Sequence, residues 1–311
     1  MSSRLPRFAR LCASLAAGAA GIVVAGCATT TAADPITPTT SAIAAEAEQT
    51  YLDGTEQLAS GALLEAEQEF FKLLKLPSYI HLTALARLRL GDAQFHQHKY
   101  DEAIETYLSF AQRHDGSENV PYAMFMVAKS HMELAPSDLW FMPPVYELDL
   151  SAVQSARVHI ERFLRQFPRS RFVTEAVQLR ERCLDVQWAH QRYVIEFYRD
   201  RKQWIGMVFR LHHAMQQFPT RAQTPALFAE LAQAYTNLDW RARALDLWTA
   251  IARRWPDSPE AGMAAERMAQ LNADIAAAKA KGDPAAAMPV EPPPAAVVKP
   301  ELLLDGEWEG G

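Results

Sequence analysis

Nine histidines and three cysteines are the side chains of this sequence with the most obvious capacity for metal binding or catalysis. His96 and His98 are two residues apart and His212 and His213 are adjacent, so neither pair can share one face of a helix. The sequence contains no paired cysteines and no Gly-x-Ser-x-Gly, phosphate-loop or dinucleotide-binding motif. Cys183 lies in a helical pattern without a neighbouring histidine, which favours a small buried hydrophobe. We therefore expect a protein that is not an enzyme and that holds no metal and no cofactor.

The first 26 residues have the layout of a secretory signal. Three arginines precede an apolar run from Leu11 to Val24, which is too short to span a bilayer comfortably. The run ends in Val24-Ala25-Gly26-Cys27, which resembles the lipobox of bacterial lipoproteins. We expect cleavage after Gly26, lipidation of Cys27 and an anchor of two or three acyl chains, since one chain alone holds only marginally. Ala28 after the cysteine favours the outer membrane, with the domain facing the periplasm.

The charge of the chain limits its partners. The formal net charge is −6, and removal of the signal would take away three arginines and no acid. Because an acidic chain repels phosphate backbones, we expect no nucleic-acid partner.

Low-complexity segments border the central part of the chain. Residues 27–42 are mainly Ala, Thr and Pro and are interpreted as a flexible tether, and residues 281–311 form a Pro/Ala-rich tail that we expect to be disordered. Residues 43–280 contain few Gly or Pro and no β-type alternation, which predicts an all-α domain.

Within this domain, a helical-hairpin pattern recurs. A small residue followed four positions later by a large one is typical of the second helix of a tetratricopeptide (TPR) repeat, where it lets two antiparallel helices approach closely. The markers are Ala66/Phe70, Ala103/Tyr107, Ala156/Ile160 and Ala244/Trp248, with Met207/Leu211 at the equivalent place of the fourth repeat, where methionine replaces the small residue. Because no hairpin buries its apolar face alone, we predict a TPR-like α-solenoid of about five stacked hairpins.

Two repeats are longer than a regular array allows. Residues 135–150 contain Pro136, Pro143 and Pro144, which forbid a continuous helix and predict a long loop inside the third repeat. From Phe172 to Asp200 a helical pattern runs without Gly or Pro, which predicts one long central helix.

With these departures from a regular array, the chain resembles one family, that of BamD, the lipoprotein subunit of the outer-membrane β-barrel assembly machine. The resemblance covers about residues 45–270. It is carried mainly by Phe167-Pro168-Arg169-Ser170-Arg171-Phe172, by Asn119-Val120-Pro121-Tyr122, and by Glu196-Phe197-Tyr198 before Trp204. The segment Trp140-Phe141-Met142-Pro143-Pro144 and the tail depart from the family pattern.

The resemblance implies a scaffold that binds unfolded outer-membrane protein segments through its N-terminal repeats. It also implies docking of the periplasmic domains of a BamA-like barrel subunit on the C-terminal repeats, and contacts with other lipoproteins of the machine. The alternative is a TPR lipoprotein that serves another envelope process, as a pilus or secretin pilotin or a cell-wall adaptor.

Two sets of residues are candidates for these contacts. First helices of stacked hairpins line one face, where aromatic side chains beside isolated charges suit a peptide with alternating apolar residues. Asp92 and Lys129 are favoured as groove residues, because burying an unpaired charge in the core costs too much free energy. The expected groove comprises Tyr51, Thr55, Asp92, Phe95, Tyr122, Phe125 and Lys129. The region expected to dock the barrel subunit, on the resemblance, comprises Thr220, Arg221, Gln223 and Arg241.

Overall fold

A computed structural model describes residues 40–76, 80–136 and 144–281. Contacts divide the chain after Ile43, and all of the packing described below lies in the unit that begins at Ala44. The signal, Cys27, most of the tether, the loop residues 137–143 and the tail after Lys281 lie outside the described residues.

The described residues form helices and short turns. The helices are α1 (Thr40–Ser60), α2 (Leu63–Leu74), α3 (Ile80–His96), α4 (Tyr100–Arg113), α5 (Val120–Glu133), α6 (Ser151–Gln166), α7 (Val173–Asp200), α8 (Trp204–Gln217), α9 (Pro219–Ala222), α10 (Pro225–Asn237), α11 (Arg241–Arg254) and α12 (Pro259–Ala280). None of these helices combines the length and the apolar character that crossing a bilayer requires.

The helices stack as successive hairpins. Each helix from α2 to α8 packs against the next, the short α9 packs on α8, and α8, α10, α11 and α12 continue the series. The rings of Tyr51 on α1 and Phe70 on α2 lie 6.2 Å apart. The paired helices are α1/α2, α3/α4, α5/α6, α7/α8 and α10/α11, so the predicted all-α, TPR-like architecture of about five hairpins is confirmed.

The small/large pairs sit where the helices of a hairpin touch. All five pairs are buried, with Ala66, Phe70, Tyr107 and Ile160 at 0% exposure. On the facing helix, a Cβ placed on Gly91 would lie 2.7 Å from Tyr107 Cε1, and one on Gly54 would lie 2.8 Å from Phe70 Cε1. Glycine is therefore required at both positions because the ring occupies the space of a side chain.

Four of the hairpins turn through a residue with positive φ. The residues are Gly61 (85°), His98 (61°), Lys202 (55°) and Asp239 (64°). At each turn the following N–H donates to the carbonyl five residues earlier, at 2.9–3.0 Å. This is a Schellman end, which satisfies carbonyls of the last helical turn. Three of the four turns adopt it without glycine.

The third repeat is interrupted, as predicted. Helix α5 ends at Glu133, a single 3-10 turn spans Val145–Glu147, and α6 begins at Ser151. The turn is fixed to α7, because His190 Nδ1–H donates to the Tyr146 carbonyl at 2.6 Å. Helix α7 is the longest described helix, with 28 residues, and it confirms the predicted central helix.

Candidate functional site

The expected groove residues lie on the first helices of the first three repeats, α1, α3 and α5. Arg89 connects α3 to α1, because it pairs with Asp92 of its own helix and also hydrogen-bonds Tyr51 of α1. Tyr122 of α5 reaches back to the same carboxylate of α3. The structure therefore brings Tyr51, Asp92 and Tyr122 into one continuous network across three repeats.

Asp92 is the centre of this network. Its Oδ1 accepts hydrogen bonds from the hydroxyls of Tyr107 and Tyr122, both at 2.7 Å, and its Oδ2 accepts from Arg89 Nη1 at 2.8 Å. The residue is only 4% exposed. The sequence placed Asp92 in the groove as an unpaired charge, and that premise is wrong, because three donors compensate the burial of the carboxylate. Asp92 is therefore an interior residue that links the helices carrying the expected groove residues.

The two tyrosines of the network remain protonated donors. Burial and the neighbouring Asp92 carboxylate both raise the pKa of Tyr107 and of Tyr122 well above the usual range of a phenol. The Asp92 hydrogen bonds therefore persist across the physiological pH range.

An aromatic wall lies beside the network. The Phe125 and Phe172 rings stack 5.4 Å apart with an interplanar angle of 8°, and Tyr122 lies 5.5 Å from Phe172. Phe125 is buried, whereas Tyr122 is half-buried. Phe172, the residue before α7, was not among the expected groove residues, although it ends the aromatic-Pro-x-Ser-x-aromatic run. That run was the signal that could have identified it.

A cation lies at the partly exposed edge of the wall. Lys129 Nζ lies 5.1 Å from the centroid of the Phe95 ring, close enough for a cation–π interaction. Phe95 also contacts Tyr100 edge-on at 5.4 Å. Both Phe95 and Lys129 are half-buried, so part of each remains accessible.

Thr55 lies one turn beyond Tyr51 on α1. Its hydroxyl donates to the Leu52 carbonyl at 2.8 Å, in its own helix. The half-buried members of the expected groove are thus Tyr51, Thr55, Phe95, Tyr122 and Lys129, whereas Asp92 and Phe125 are interior.

In the C-terminal repeats, Thr220 and Arg221 line a cleft of about 720 Å³ between α6, α7 and α9. Leu184 and Phe218 supply apolar parts of its lining. Arg221 Nη2 lies 3.0 Å from Glu181 Oε2 and 2.9 Å from an oxygen of Asp185, so its charge is balanced by α7.

The other two residues of the expected docking region lie apart from each other. Gln223 Oε1 accepts a hydrogen bond from Arg254 Nη2 at 2.7 Å, at the last residue of α11. Arg241 pairs with Asp239 at the first turn of the same helix. Since thirteen residues of helix separate the two ends by about 20 Å, the four expected residues do not form one cluster.

An exposed apolar patch on the fourth hairpin was not identified from the sequence. It consists of Phe197 of α7 and Ile205 and Phe209 of α8, which are 39%, 55% and 37% exposed. A Cβ on Gly206 would lie 2.6 Å from Tyr198 Cδ1, so these two residues mark the contact between the antiparallel helices. Because Phe197 and Ile205 each precede a contact residue by one position, both lie on the same side of the hairpin. Phe209 follows Ile205 by four residues and shares its face.

A guanidinium covers one edge of the apolar patch. Arg201 Cζ lies 3.6 Å from the centroid of the Phe197 ring. The spacing of Ile205 and Phe209 was visible in the sequence, but a core stripe has the same spacing, so only the packing distinguishes the two.

Cys183 is a core residue, as the sequence indicated. It is 0% exposed, and burial raises the pKa of its thiol to about 11. Its Sγ lies 3.8 Å from Met132 Sδ. A protonated, inaccessible thiol is a poor nucleophile.

Comparisons with known proteins place this chain among outer-membrane lipoproteins. A family model described as "YfiO: Outer membrane lipoprotein" matches residues 43–247. A Xylella fastidiosa (strain 9a5c) protein named "Outer membrane protein assembly factor BamD" is 25% identical over 199 residues, covering 62% of this chain and 67% of the relative. A Haemophilus influenzae protein of the same name is 23% identical over 210 residues, covering 65% and 78%.

Solved structures with a low overall similarity to this chain include a tetratricopeptide-domain complex. The "TPR2AB-domain:pHSP90-complex of yeast Sti1" matches with a TM-score of 0.39 and 12% identity, covering 78% of this chain and 90% of that one.

Proposed function

The chain belongs to the YfiO family of outer-membrane lipoproteins, the family of BamD, and from this premise we propose that it is a non-catalytic scaffold subunit for the assembly of outer-membrane proteins. The observation that carries the proposal is the family match over residues 43–247, which runs from the first helix into α11. The match therefore includes both the groove and the apolar patch.

The groove on α1, α3 and α5 binds extended segments of unfolded outer-membrane proteins. Half-buried Tyr51, Phe95 and Tyr122 offer aromatic surface, and the Asp92 network holds their helices in a fixed relation. Lys129 supplies a cation beside Phe95 that can pair with a carboxylate of the segment. Aromatic side chains around one charge suit an alternating apolar peptide, because each provides contact area with little loss of side-chain entropy.

A fluorescence titration with a labelled barrel C-terminal peptide tests this groove. Phe95→Ala and Lys129→Gln should each weaken binding by at least about fivefold, because each removes a contact near the centre of the proposed surface. Tyr122→Phe should isolate the hydroxyl, which binds Asp92 and not the peptide, and should leave the affinity nearly unchanged. Phe71→Ala, an exposed phenylalanine on α2, is the control. Equal affinity for all four variants would show that the peptide does not bind at the groove.

The apolar patch of Phe197, Ile205 and Phe209 docks the periplasmic domains of a BamA-like barrel subunit, and the Thr220/Arg221 cleft, about 20 Å away at the other end of the α7/α8 hairpin, provides a second contact. Exposed aromatic and aliphatic side chains on a monomeric surface commonly mark a protein interface. Arg201 lies over Phe197, and arginine is one of the residue types enriched at protein interfaces.

A pull-down from detergent-solubilised outer membrane tests the docking proposal. The full-length chain should co-purify a large barrel protein with periplasmic domains, and Ile205→Glu or Phe209→Glu should abolish this. Met263→Glu, at a comparably exposed apolar residue on α12, should not. Recovery of a secretin or a cell-wall enzyme instead would favour the adaptor alternative.

Lipidation of Cys27 anchors the scaffold to the outer membrane on its periplasmic side. The lipobox Val24-Ala25-Gly26-Cys27 supports this proposal. Cys27→Ser should abolish metabolic labelling with palmitate and should release the chain from the membrane fraction. Persistence of the variant in that fraction at wild-type level would argue against the anchor.

A further inference from the structure

We propose that Arg87, Ser109, Arg113 and His114 form a binding site for a phosphate group, carried by a membrane lipid or present as the free ion. The site lies on the second hairpin and uses none of the groove residues, so it is independent of the proposed scaffold function.

Two guanidinium groups converge on one hydroxyl. Arg87 Nη1 of α3 donates to Ser109 Oγ at 3.2 Å, and Arg113 Nε of α4 donates to the same oxygen at 3.3 Å. His114, the residue after α4, completes the cluster and lies against Phe110, with 5.3 Å between ring centroids. One neutral hydroxyl thus serves as acceptor for two cations.

Among the residues that the structure describes, no carboxylate forms an ion pair with these two guanidinium groups. In the described part of the chain, Arg87 and Arg113 form no ion pair, whereas Arg89, Arg192 and Arg221 pair with Asp92, Glu230 and Glu181. Burial and then the nearby Arg113 lower the pKa of Arg87. Burial and then the two arginines lower the pKa of His114. A cationic cluster in a chain of net charge −6 therefore lacks its counter-charge.

Phosphate is the anion that this arrangement fits. Guanidinium groups present forked N–H donors that match phosphate oxygens, and a tetrahedral group can accept from donors approaching in several directions. Here the two guanidinium groups approach Ser109 Oγ from α3 and from α4. Arg87 Nε is shielded from solvent and has no acceptor, so the helix pair already holds part of this guanidinium away from water.

The site is tested by calorimetry, in which inorganic phosphate is titrated at low ionic strength into the full mature chain that carries Cys27→Ser. Flotation with phosphatidylglycerol or phosphatidylcholine vesicles forms the second arm. Arg113→Gln should weaken phosphate binding about tenfold, because it removes a charge-assisted hydrogen bond. Ser109→Asp should abolish binding, because it places an internal carboxylate between the two guanidinium groups. Arg165→Gln, in the last turn of α6 as Arg113 is in the last turn of α4, should bind as the unsubstituted chain.

Each outcome decides the proposal. Phosphate binding lost in Ser109→Asp, without cluster-dependent flotation, supports the free ion. Flotation on phosphatidylglycerol vesicles that is lost in Ser109→Asp supports a lipid phosphate. Because Ser109→Asp supplies a partner for two arginines, its melting temperature should not fall, which excludes unfolding as the cause. Unchanged binding in both variants, or capture of poly-glutamate but not phosphate, overturns the proposal.

Discussion

In the N-terminal half of the solenoid, the hydroxyls of Tyr107 and Tyr122 converge on the buried carboxylate of Asp92. In the C-terminal half, the hydroxyl of Tyr235 and Nε2 of His212 share one hydrogen bond of 2.7 Å. Both arrangements join the first helix of one repeat to a helix of its neighbour, and an arginine lies beside each, but only in the first is the buried central group itself charged. His212 is 3% exposed, so burial keeps it neutral.

The difference shows that the same helical architecture tolerates two kinds of buried polar contact. A carboxylate needs several donors, and the two tyrosines and Arg89 supply them. A neutral imidazole needs fewer partners but becomes costly to bury once it is protonated. The two halves should therefore respond differently to substitution and to acid.

Asp92→Ala should give the largest effect. Removal of the carboxylate leaves the buried Tyr107 hydroxyl without its acceptor, so we expect the free energy of unfolding to fall by about 3 kcal/mol or more. Urea denaturation followed by circular dichroism measures this change. Glu105→Ala, at an exposed acid of α4, should stay within about 0.5 kcal/mol of wild type. A loss below about 1 kcal/mol for Asp92→Ala would show that the network is dispensable.

Acid should weaken the contact between α8 and α10 through His212. Burial, with a smaller contribution from Arg243, lowers the pKa of His212 to about 4, below the value of about 6.5 expected in the unfolded chain. The unfolded state therefore binds more protons between these values. Stability is fully present above about pH 6.5 and falls by about 3 kcal/mol as the pH drops to about 4.

The matched variant for this prediction is His212→Gln, which cannot titrate. The difference in unfolding free energy between wild type and variant should change with pH only in this window. After correction for the intrinsic pH dependence of amide exchange, hydrogen exchange should show lower protection factors in α8 and α10 of the wild type at pH 5 than at pH 7. The same pH dependence in both proteins would mean that other groups cause the acid sensitivity.

Gly91→Ala should destabilise by about 2 kcal/mol. Its Cβ would lie 2.7 Å from a ring atom of the fully buried Tyr107, and overpacking outweighs the gain in helix propensity. Gly262→Ala on α12, where nothing lies within 4 Å, should stabilise by about 0.5–1 kcal/mol. Melting curves of the two variants provide the comparison, and the same sign for both would contradict the close approach of α3 and α4.

Lys202→Gly should stabilise slightly, by about 0.5–1 kcal/mol. The residue turns the fourth hairpin at φ 55°, where a side chain is unfavourable, while the first hairpin uses Gly61 in the same role. Glu105→Gly, in the interior of α4, should instead destabilise by about 1 kcal/mol. Differential scanning calorimetry distinguishes the two, and destabilisation by Lys202→Gly would show that the lysine side chain stabilises the turn.

The hairpins could be predicted because their determinants are local. Ala103 and Tyr107 are four residues apart, so their spacing in the sequence alone identifies the contact face of α4. The absence of Gly and Pro after Phe172 likewise identified α7 to within one residue of its observed start.

The partners of buried polar groups could not be predicted in this way. Asp92 meets Tyr107 and Tyr122, which lie 15 and 30 residues further along the chain. Their convergence depends on how two hairpins stack, and a single sequence does not report that geometry. Arg241 and Gln223 were grouped for the same reason. The sequence alone does not show that Arg241 lies at the start of α11 whereas Gln223 contacts Arg254 at its end.

The uninterrupted length of α7 gives the two proposed surfaces a mechanical relation. Phe172, just before its first turn, stacks in the wall beside the groove, and Phe197, near its last turn, belongs to the apolar patch. The 25 residues between them span about 37 Å of helix that contains no glycine or proline hinge. Because this helix has no hinge residue, a rotation of about 3° about one of its ends would displace the other end by about 2 Å.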